Sequence, residues 1–165
     1  MEIIYSEKLP RILKNKKRLE EKLEVKITNR GKEVMISGKP EAEYIAKKVI
    51  DALNFGFYFS AAMEIKEGFV FEIINIKDHT QRKDLERIRA RIIGTNGKTL
   101  KTLHDLISGN LEIKDNRVGV ICPPENMKVA QEAIISIVKG AKQGNVYGFL
   151  ERNQIKGIDD LGLKE

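Results

Sequence analysis

The spacing of apolar residues alternates along the chain between the period of strands and the period of amphipathic helices. Residues 23–29 alternate apolar and polar positions, whereas Tyr44, Ile45, Val49 and Leu53 lie at helical spacing. The pattern predicts strands at 2–5, 23–29, 33–37, 69–77, 111–114 and 117–122, and helical stretches at 7–22, 41–53, 84–93, 99–108 and 126–140. Each half therefore reads strand, helix, helix, strand, strand, helix, and an α+β fold is expected.

The two halves also resemble each other in sequence. Leu23-Glu24-Val25-Lys26 corresponds to Leu111-Glu112-Ile113-Lys114, and Pro40-Glu41 corresponds to Pro124-Glu125 before the last helix of each half. A repeat of roughly 80 residues is too long for a solenoid unit and fits duplicated domains. The sequence predicts two modules and a mobile tail, at 1–60, 61–152 and 153–165.

The composition is that of a folded, basic and reduced protein. Hydrophobic residues make up 41% of the 165 residues, and 30 Lys and Arg face 24 Asp and Glu, for a net charge of +6. Such a charge favours nucleic acid as a partner. The single cysteine, Cys122, excludes a disulfide within the chain. No signal peptide and no apolar run of about 20 residues is evident, so a cytoplasmic protein without membrane contact is expected.

A Gly-x-x-Gly turn between two predicted helices is the strongest chemical signal. It lies within Ile92-Ile93-Gly94-Thr95-Asn96-Gly97-Lys98-Thr99-Leu100. Two glycines this close let the backbone turn sharply and approach a ligand, because no Cβ atom intervenes. The helix predicted after the turn would present backbone N–H groups without intrahelical partners, which favour a phosphate. Basic residues flank the turn at Arg89, Arg91, Lys98 and Lys101.

Apolar residues beside the turn would line a groove for bases. Ile92, Ile93 and Leu100 are candidates for its floor and Ile113 for its wall. The strand backbone and Lys114 or Arg117 would be hydrogen-bonding partners of base edges. The alternative interpretation is a helix-turn-helix that needs glycine only for its turn and carries a solvated basic face. The repeat and the element order around the turn favour RNA binding.

No pattern in the chain predicts an enzyme, a metal site or a cofactor. Gly97-Lys98-Thr99 resembles the end of a P-loop, but that motif requires glycine where Ile92 stands and a strand before the loop. His79 and His104 are the only histidines, so no zinc site has ligands at the usual spacing. Both are expected at the surface or at caps, and Cys122 is expected in the core.

The element order of the second half, with Gly-x-x-Gly between its first two helices, resembles the type I KH domain, an RNA-binding fold of order βααββα. Ile93-Gly94-Thr95-Asn96-Gly97 matches its signature loop. The resemblance implies two packed α+β KH domains and a loop that clamps about four nucleotides of single-stranded RNA. The implied RNA-binding residues are Arg89, Arg91, Ile93, Gly94, Thr95, Asn96, Gly97, Lys98, Lys101, Ile113 and Lys114.

The tandem arrangement, the size and the Val146-Tyr147-Gly148-Phe149-Leu150 segment resemble the archaeal KH small-subunit ribosome assembly factors, relatives of the eukaryotic partner-of-Nob protein. This resemblance covers residues 2–152. It implies binding to the 3′ region of small-subunit rRNA, to present or guard that end during maturation. The implied protein partners are the endonuclease that trims the rRNA and, further, the translation-initiation factor two alpha subunit.

The first module departs from the KH pattern because it lacks Gly-x-x-Gly. Its corresponding place is Lys14-Asn15-Lys16-Lys17, or residues 10–13 if the following helix aligns without a gap. Neither place offers two glycines, so a close approach of the backbone to phosphate is not expected there. The basic side chains at 14–18 could still contact phosphates. The resemblance would assign this module to packing, protein contact or looser RNA contact.

Two other functions fit parts of the sequence. A general KH protein that acts on messenger RNA or in RNA turnover would share the loop and differ in its client RNA. An RNA-processing enzyme would require an acid–base or metal constellation, which the sequence does not mark out. Binding of ribosomal RNA without catalysis is therefore the preferred interpretation.

Overall fold

The chain folds into two compact units, Met1–Phe71 and a second one that begins at Glu72. The computed structural model describes residues 1–153. The tail that the sequence predicts to be mobile lies, from residue 154 onward, outside the described residues. The α+β class and the order βααββα in each half are confirmed.

The first unit contains one three-stranded sheet in the order β1-β3-β2. Its elements are β1 (Glu2–Tyr5), α1 (Leu9–Lys14), α2 (Lys16–Leu23), β2 (Val25–Arg30), β3 (Glu33–Gly38), α3 (Pro40–Phe55) and α4 (Phe59–Met63). β3 pairs antiparallel with both neighbours, and Ile4 lies opposite Val34 while Ile27 lies opposite Ile36. All four side chains are buried, so the alternation along the strands places one face of the sheet in the core.

The helical stretch predicted at 7–22 is broken at Asn15. This residue has φ −101° and ψ 5°, and its side-chain amide donates to the carbonyl of Arg11 at 2.9 Å. Asn competes for backbone hydrogen bonds in this way, which favours helix ends over helix interiors. The break therefore lies within Lys14-Asn15-Lys16-Lys17, the first of the two places proposed for a degenerate loop.

The second unit has the same sheet order, β4-β6-β5. Its elements are β4 (Val70–Asn75), a 3₁₀ turn (Ile76–His79), α5 (Leu85–Ile93), a short 3₁₀ turn (Thr95–Gly97), α6 (Lys98–Ile107), β5 (Asn110–Lys114), β6 (Arg117–Cys122), α7 (Pro124–Val138) and α8 (Gln143–Asn153). β5 and β6 pair antiparallel, with Leu111 opposite Val120 and Ile113 opposite Val118. The core of this unit contains Ile88, Ile92, Leu103, Leu111, Val118, Val120, Ile134 and Ile137.

Helix α8 is an element that the sequence pattern did not predict. It contains Gly144 and Gly148, and glycine costs a helix about 1 kcal/mol relative to alanine. Val146 and Leu150 are each 2% exposed, and α8 packs against α6 and α7. Burial of Val146 and Leu150 outweighs the low helix propensity of the glycines. The segment Val146-Tyr147-Gly148-Phe149-Leu150 is therefore part of a helix that packs against the rest of the unit.

Candidate nucleic-acid interface

The turn from Gly94 to Gly97 joins α5 to α6 through backbone conformations that few residue types adopt. Gly94 has φ 77° and ψ 172°, Asn96 has φ 56° and Gly97 has φ 75°. Positive φ costs an ordinary L-residue roughly 1–2 kcal/mol, while glycine adopts it freely and asparagine tolerates it. The residues of the signature loop are therefore matched to the shape of the turn.

The two glycines are required for different reasons. A Cβ atom on Gly94 would lie 2.2 Å from Oγ1 of Thr99 and 2.7 Å from the backbone nitrogen of Thr99. Thr99 is buried in the first turn of α6, so it cannot move aside freely. A Cβ atom on Gly97 would meet nothing within 4 Å. Gly94 thus allows α5 and α6 to approach each other, and Gly97 leaves open space in front of the turn.

The start of α6 is electropositive and accessible. Gly97 provides no side-chain cap, and the first turn of the helix contains no acidic residue. The first N–H groups of a helix lack intrahelical partners and carry a partial positive charge. Thr95, Asn96, Lys98 and Lys101 are exposed, and Lys98 and Lys101 are neighbours on one face of α6. An anion in front of the turn would meet backbone donors and two ammonium groups.

The two arginines predicted to bind phosphate make contacts within the unit. Nη1 of Arg91 donates to the carbonyl of Ile137 at 3.0 Å, and Nη2 donates to the carbonyl of Ala141. The guanidinium of Arg89 donates to the side-chain oxygen of Asn116 in the β5–β6 turn. Both arginines therefore stabilise the unit, and a role for either in RNA binding stays a prediction.

His104 connects α6 to the outer edge of β5. Its Nε2 accepts the N–H of Leu111 at 2.9 Å and lies 3.2 Å from the carbonyl oxygen of Leu111. Backbone groups alternate in direction along an antiparallel strand, so Ile113 directs its N–H and carbonyl to the same edge as Leu111. Ile113 and Lys114 are half-buried. Helix α6, which follows the turn, thus packs beside β5, the strand that contains Ile113 and Lys114.

Three contributors to this site were not recognised in the sequence. Thr99 was not assigned its buried place under Gly94, Asn116 was not expected to bind Arg89, and His104 was expected at the surface or at a cap. The residue types gave little signal, because each acts through a specific contact that the residue type alone does not indicate. Only the Gly-x-x-Gly-x-Thr spacing could have indicated that a side chain packs on the first glycine.

The pH dependence of the second unit should report on His104. Burial lowers the pKa of this half-buried imidazole, although donation from the protonated ring to the carbonyl of Leu111 and the nearby Asp105 carboxylate oppose the shift. A folded-state pKa below the unfolded value means that the unfolded chain binds more protons as the pH falls. The contribution of neutral His104 to the free energy of unfolding is therefore complete above pH 6.5, the ordinary pKa of histidine, and it declines as the pH falls below that value. Wild type should lose more stability between pH 7.5 and pH 5 than His104→Gln does.

Urea titrations of the two proteins at both pH values measure this difference. The two proteins differ only at position 104, so the comparison isolates the contribution of His104. An equal loss of stability in wild type and His104→Gln would show that His104 does not carry the pH dependence.

The remaining candidate groups are inert or isolated. Burial, with a smaller effect of Glu125, raises the pKa of the Cys122 thiol to about 12, so the thiolate is scarce at neutral pH. Among residues 1–153, no group of three or more His, Cys, Asp or Glu side chains is placed to hold a metal ion. In the same range no helix is long and apolar enough to cross a bilayer.

Comparison with known families identifies the fold of the second unit. Residues 70–155, more than half of the chain, match the sequence model of the eukaryotic-type KH domain, KH-domain type I. The chain therefore belongs to the type I KH-domain family. The match spans the Gly94–Gly97 turn and the β5–β6 hairpin, and the fold predicted by resemblance is confirmed.

The similar proteins include archaeal and fungal ones. A KH domain-containing protein of Methanocaldococcus jannaschii is 29% identical over 119 residues, which cover 71% of this chain and 52% of the relative. Pre-rRNA-processing protein PNO1 of Yarrowia lipolytica is 33% identical over 106 residues, which cover 61% and 41%. The chain thus spans about half the length, or less, of these curated relatives.

A solved structure matches over most of its length. A chain in the crystal structure of the a/eIF2alpha–aDim2p–rRNA complex from Pyrococcus horikoshii superposes with a TM-score of 0.82 at 28% identity, covering 92% of each chain. Together with the two relatives, this match confirms the resemblance to archaeal KH assembly factors and their eukaryotic counterparts.

Proposed function

We propose that this protein binds single-stranded RNA through the Gly94–Gly97 turn, and that its target is the 3′ region of small-subunit rRNA during maturation. The observation that carries the proposal is the geometry of the turn. Gly97 leaves open space before the start of α6, which has no side-chain cap and is flanked by Lys98 and Lys101. Phosphates fit this place, and the edge of β5 with Ile113 offers backbone groups to bases.

The relatives support the ribosomal target. PNO1 of Yarrowia lipolytica is named as a pre-rRNA-processing protein, and the similar archaeal structure contains rRNA. The same structure contains a/eIF2alpha, which makes that subunit a candidate protein partner here. The endonuclease that trims the rRNA is a second candidate. The protein acts by binding, in the cytoplasm, and the cleavage is performed by its partner.

Crosslinking in cells tests the target. The tagged protein is irradiated in its native host, and the attached RNA is sequenced beside a tagged variant with Thr95→Asp and Asn96→Asp. Wild-type reads are expected to concentrate in the 3′ region of small-subunit rRNA and its precursor, and to fall in the variant at equal expression. Reads that concentrate on messenger RNAs would instead support the general KH function and contradict the ribosomal one.

A further inference from the structure

His104 occupies the polar groups of Leu111 on the edge where the proposed function places bases. The N–H of Leu111 donates to Nε2 of His104 at 2.9 Å, and the carbonyl oxygen of Leu111 lies 3.2 Å from the same nitrogen. Strand β5 stands at the end of the sheet order β4-β6-β5, and these groups point away from β6. Without the imidazole they would be left for solvent or for a ligand. The side chain of His104 therefore closes the edge at Leu111.

The next residue of β5 whose polar groups point outward, Ile113, is not closed in this way. Outward groups recur at every second residue of an edge strand, so Leu111 and Ile113 are successive positions about 6.8 Å apart. Among residues 1–153, no side chain is found hydrogen-bonded to the backbone of Ile113. The N–H and carbonyl of Ile113 therefore remain available to a base, whereas those of Leu111 are taken by His104.

The first unit contains the same contact with a different residue. Oε2 of Glu20 accepts the N–H of Ile27 on the outer strand β2 at 2.9 Å. In both units the acceptor stands seven residues before the donor, in the last turn of the second helix. Closure of the edge is therefore a feature of the duplicated fold. In the second unit an imidazole replaces the carboxylate, so the edge is closed without a negative charge beside the proposed RNA.

We propose that His104 is a specificity-determining residue for RNA, because it ends the base-reading edge of β5 and leaves one residue, Ile113, to read a base through its backbone. This inference rests on the proposed function and deepens it. The nucleotide that follows along the strand meets the imidazole in place of a backbone donor and acceptor. An aromatic ring accepts the faces of all bases, so this contact does not select among them.

The test compares the base preferences of four full-length proteins. His104→Ala opens the edge at Leu111. His104→Gln keeps it closed, because the amide of glutamine accepts the N–H of Leu111 and donates to its carbonyl. Wild type and the variant with Thr95→Asp and Asn96→Asp complete the set. Fluorescence polarisation measures their affinity for single-stranded RNAs of the small-subunit rRNA 3′ end, in which one nucleotide at a time is replaced by each of the other three bases.

His104→Ala is expected to gain one base-selective position beside those of wild type. At that position a change of base should alter the affinity of this variant about fivefold, the effect of one hydrogen bond, and that of wild type and His104→Gln less than about twofold. An identical set of base-selective positions in wild type and His104→Ala would overturn the proposal. A gain in His104→Gln equal to that in His104→Ala would overturn it as well, since glutamine keeps the edge closed.

Nuclear magnetic resonance of wild type tests the same point without a substitution, and it decides the matter if His104→Ala does not fold. In the free protein the amide of Leu111 should exchange with solvent more slowly than that of Ile113, and Nε2 of His104 should be unprotonated. Addition of the RNA should slow exchange at Ile113 and leave the Nε2 resonance in place. Loss of the bond between Leu111 and His104 on RNA binding would overturn the proposal, because the edge would then be open at both residues.

The two proposals fail in different ways in these experiments. An unchanged affinity with Thr95→Asp and Asn96→Asp contradicts the proposed function of the glycine turn, whatever the variants of His104 show. If that variant loses affinity while His104→Ala gains no base-selective position, only the role of His104 is contradicted, and the proposed function stands.

Discussion

Replacement of Thr95 and Asn96 by aspartate together is expected to weaken binding of single-stranded RNA by about 30-fold or more. Both side chains are exposed at the turn, where the proposed phosphates lie. A carboxylate some 4–5 Å from a phosphate costs about 1 kcal/mol even at the dielectric of bulk water and more near a protein surface, so two such charges give at least the expected factor. Fluorescence polarisation with a 30-nucleotide single-stranded RNA of the small-subunit rRNA 3′ end measures the loss.

The fold should tolerate both changes. Asn96 has φ 56°, a conformation that aspartate tolerates nearly as well as asparagine, and Thr95 makes no buried contact. A control with Lys77→Gln and Lys128→Gln changes the net charge by the same amount at exposed positions outside the turn. If the aspartate variant and this control lose affinity equally, general electrostatic attraction explains the binding, and the turn is not the site.

The sequence was sufficient for the fold wherever one residue pattern determines one element. Val34 and Ile36 lie two residues apart on β3 and Ile27 lies between two polar residues on β2, and all three face the core of the first unit. Ile88 and Ile92 recur at helical spacing on α5, and both are buried. Gly94 and Gly97 lie where their spacing placed them, because a turn that requires positive φ leaves a direct mark on the sequence.

The sequence was insufficient wherever an element depends on contacts that are distant in the chain. Helix α8 contains two glycines and is stabilised by burial of Val146 and Leu150 against α6 and α7. Arg91 is a residue type that often binds phosphate, yet its guanidinium donates hydrogen bonds to the carbonyls of Ile137 and Ala141. A basic residue near a loop has the same sequence signature in either role, and only the three-dimensional arrangement separates them.

The same limit explains why the first unit is harder to interpret. Lys14, Lys16 and Lys17 show that this module lost the glycine turn, but not whether it lost contact with RNA. The structure adds that Arg18 is oriented by Phe59 and that the neighbouring Tyr58 is exposed. The Arg18–Phe59 contact joins residues about forty positions apart, which no local pattern reveals.

Alanine at Gly94 is expected to destabilise the second unit far more than alanine at Gly97. The new methyl group would overlap Thr99 at 2.2 Å and 2.7 Å, and φ 77° with ψ 172° lies in a region that is almost restricted to glycine. Strain and overpacking together should cost about 4 kcal/mol. Gly97→Ala should lower the free energy of unfolding by only roughly 1 kcal/mol, the cost of a left-handed backbone conformation for alanine, since its methyl group would point into open space.

Thermal and urea unfolding of the two variants measure the difference, and RNA binding separates its causes. Gly97→Ala should remain folded and bind RNA more weakly, because its methyl group occupies the space proposed for phosphate. Adding Thr99→Ala to Gly94→Ala removes the 2.2 Å overlap with Oγ1 but leaves the overlap with the backbone nitrogen, so stability should return only in part. Equal stability of the Gly94 and Gly97 variants would mean that Thr99 does not limit the approach of α5 to α6, and that the first glycine is required for the ligand alone.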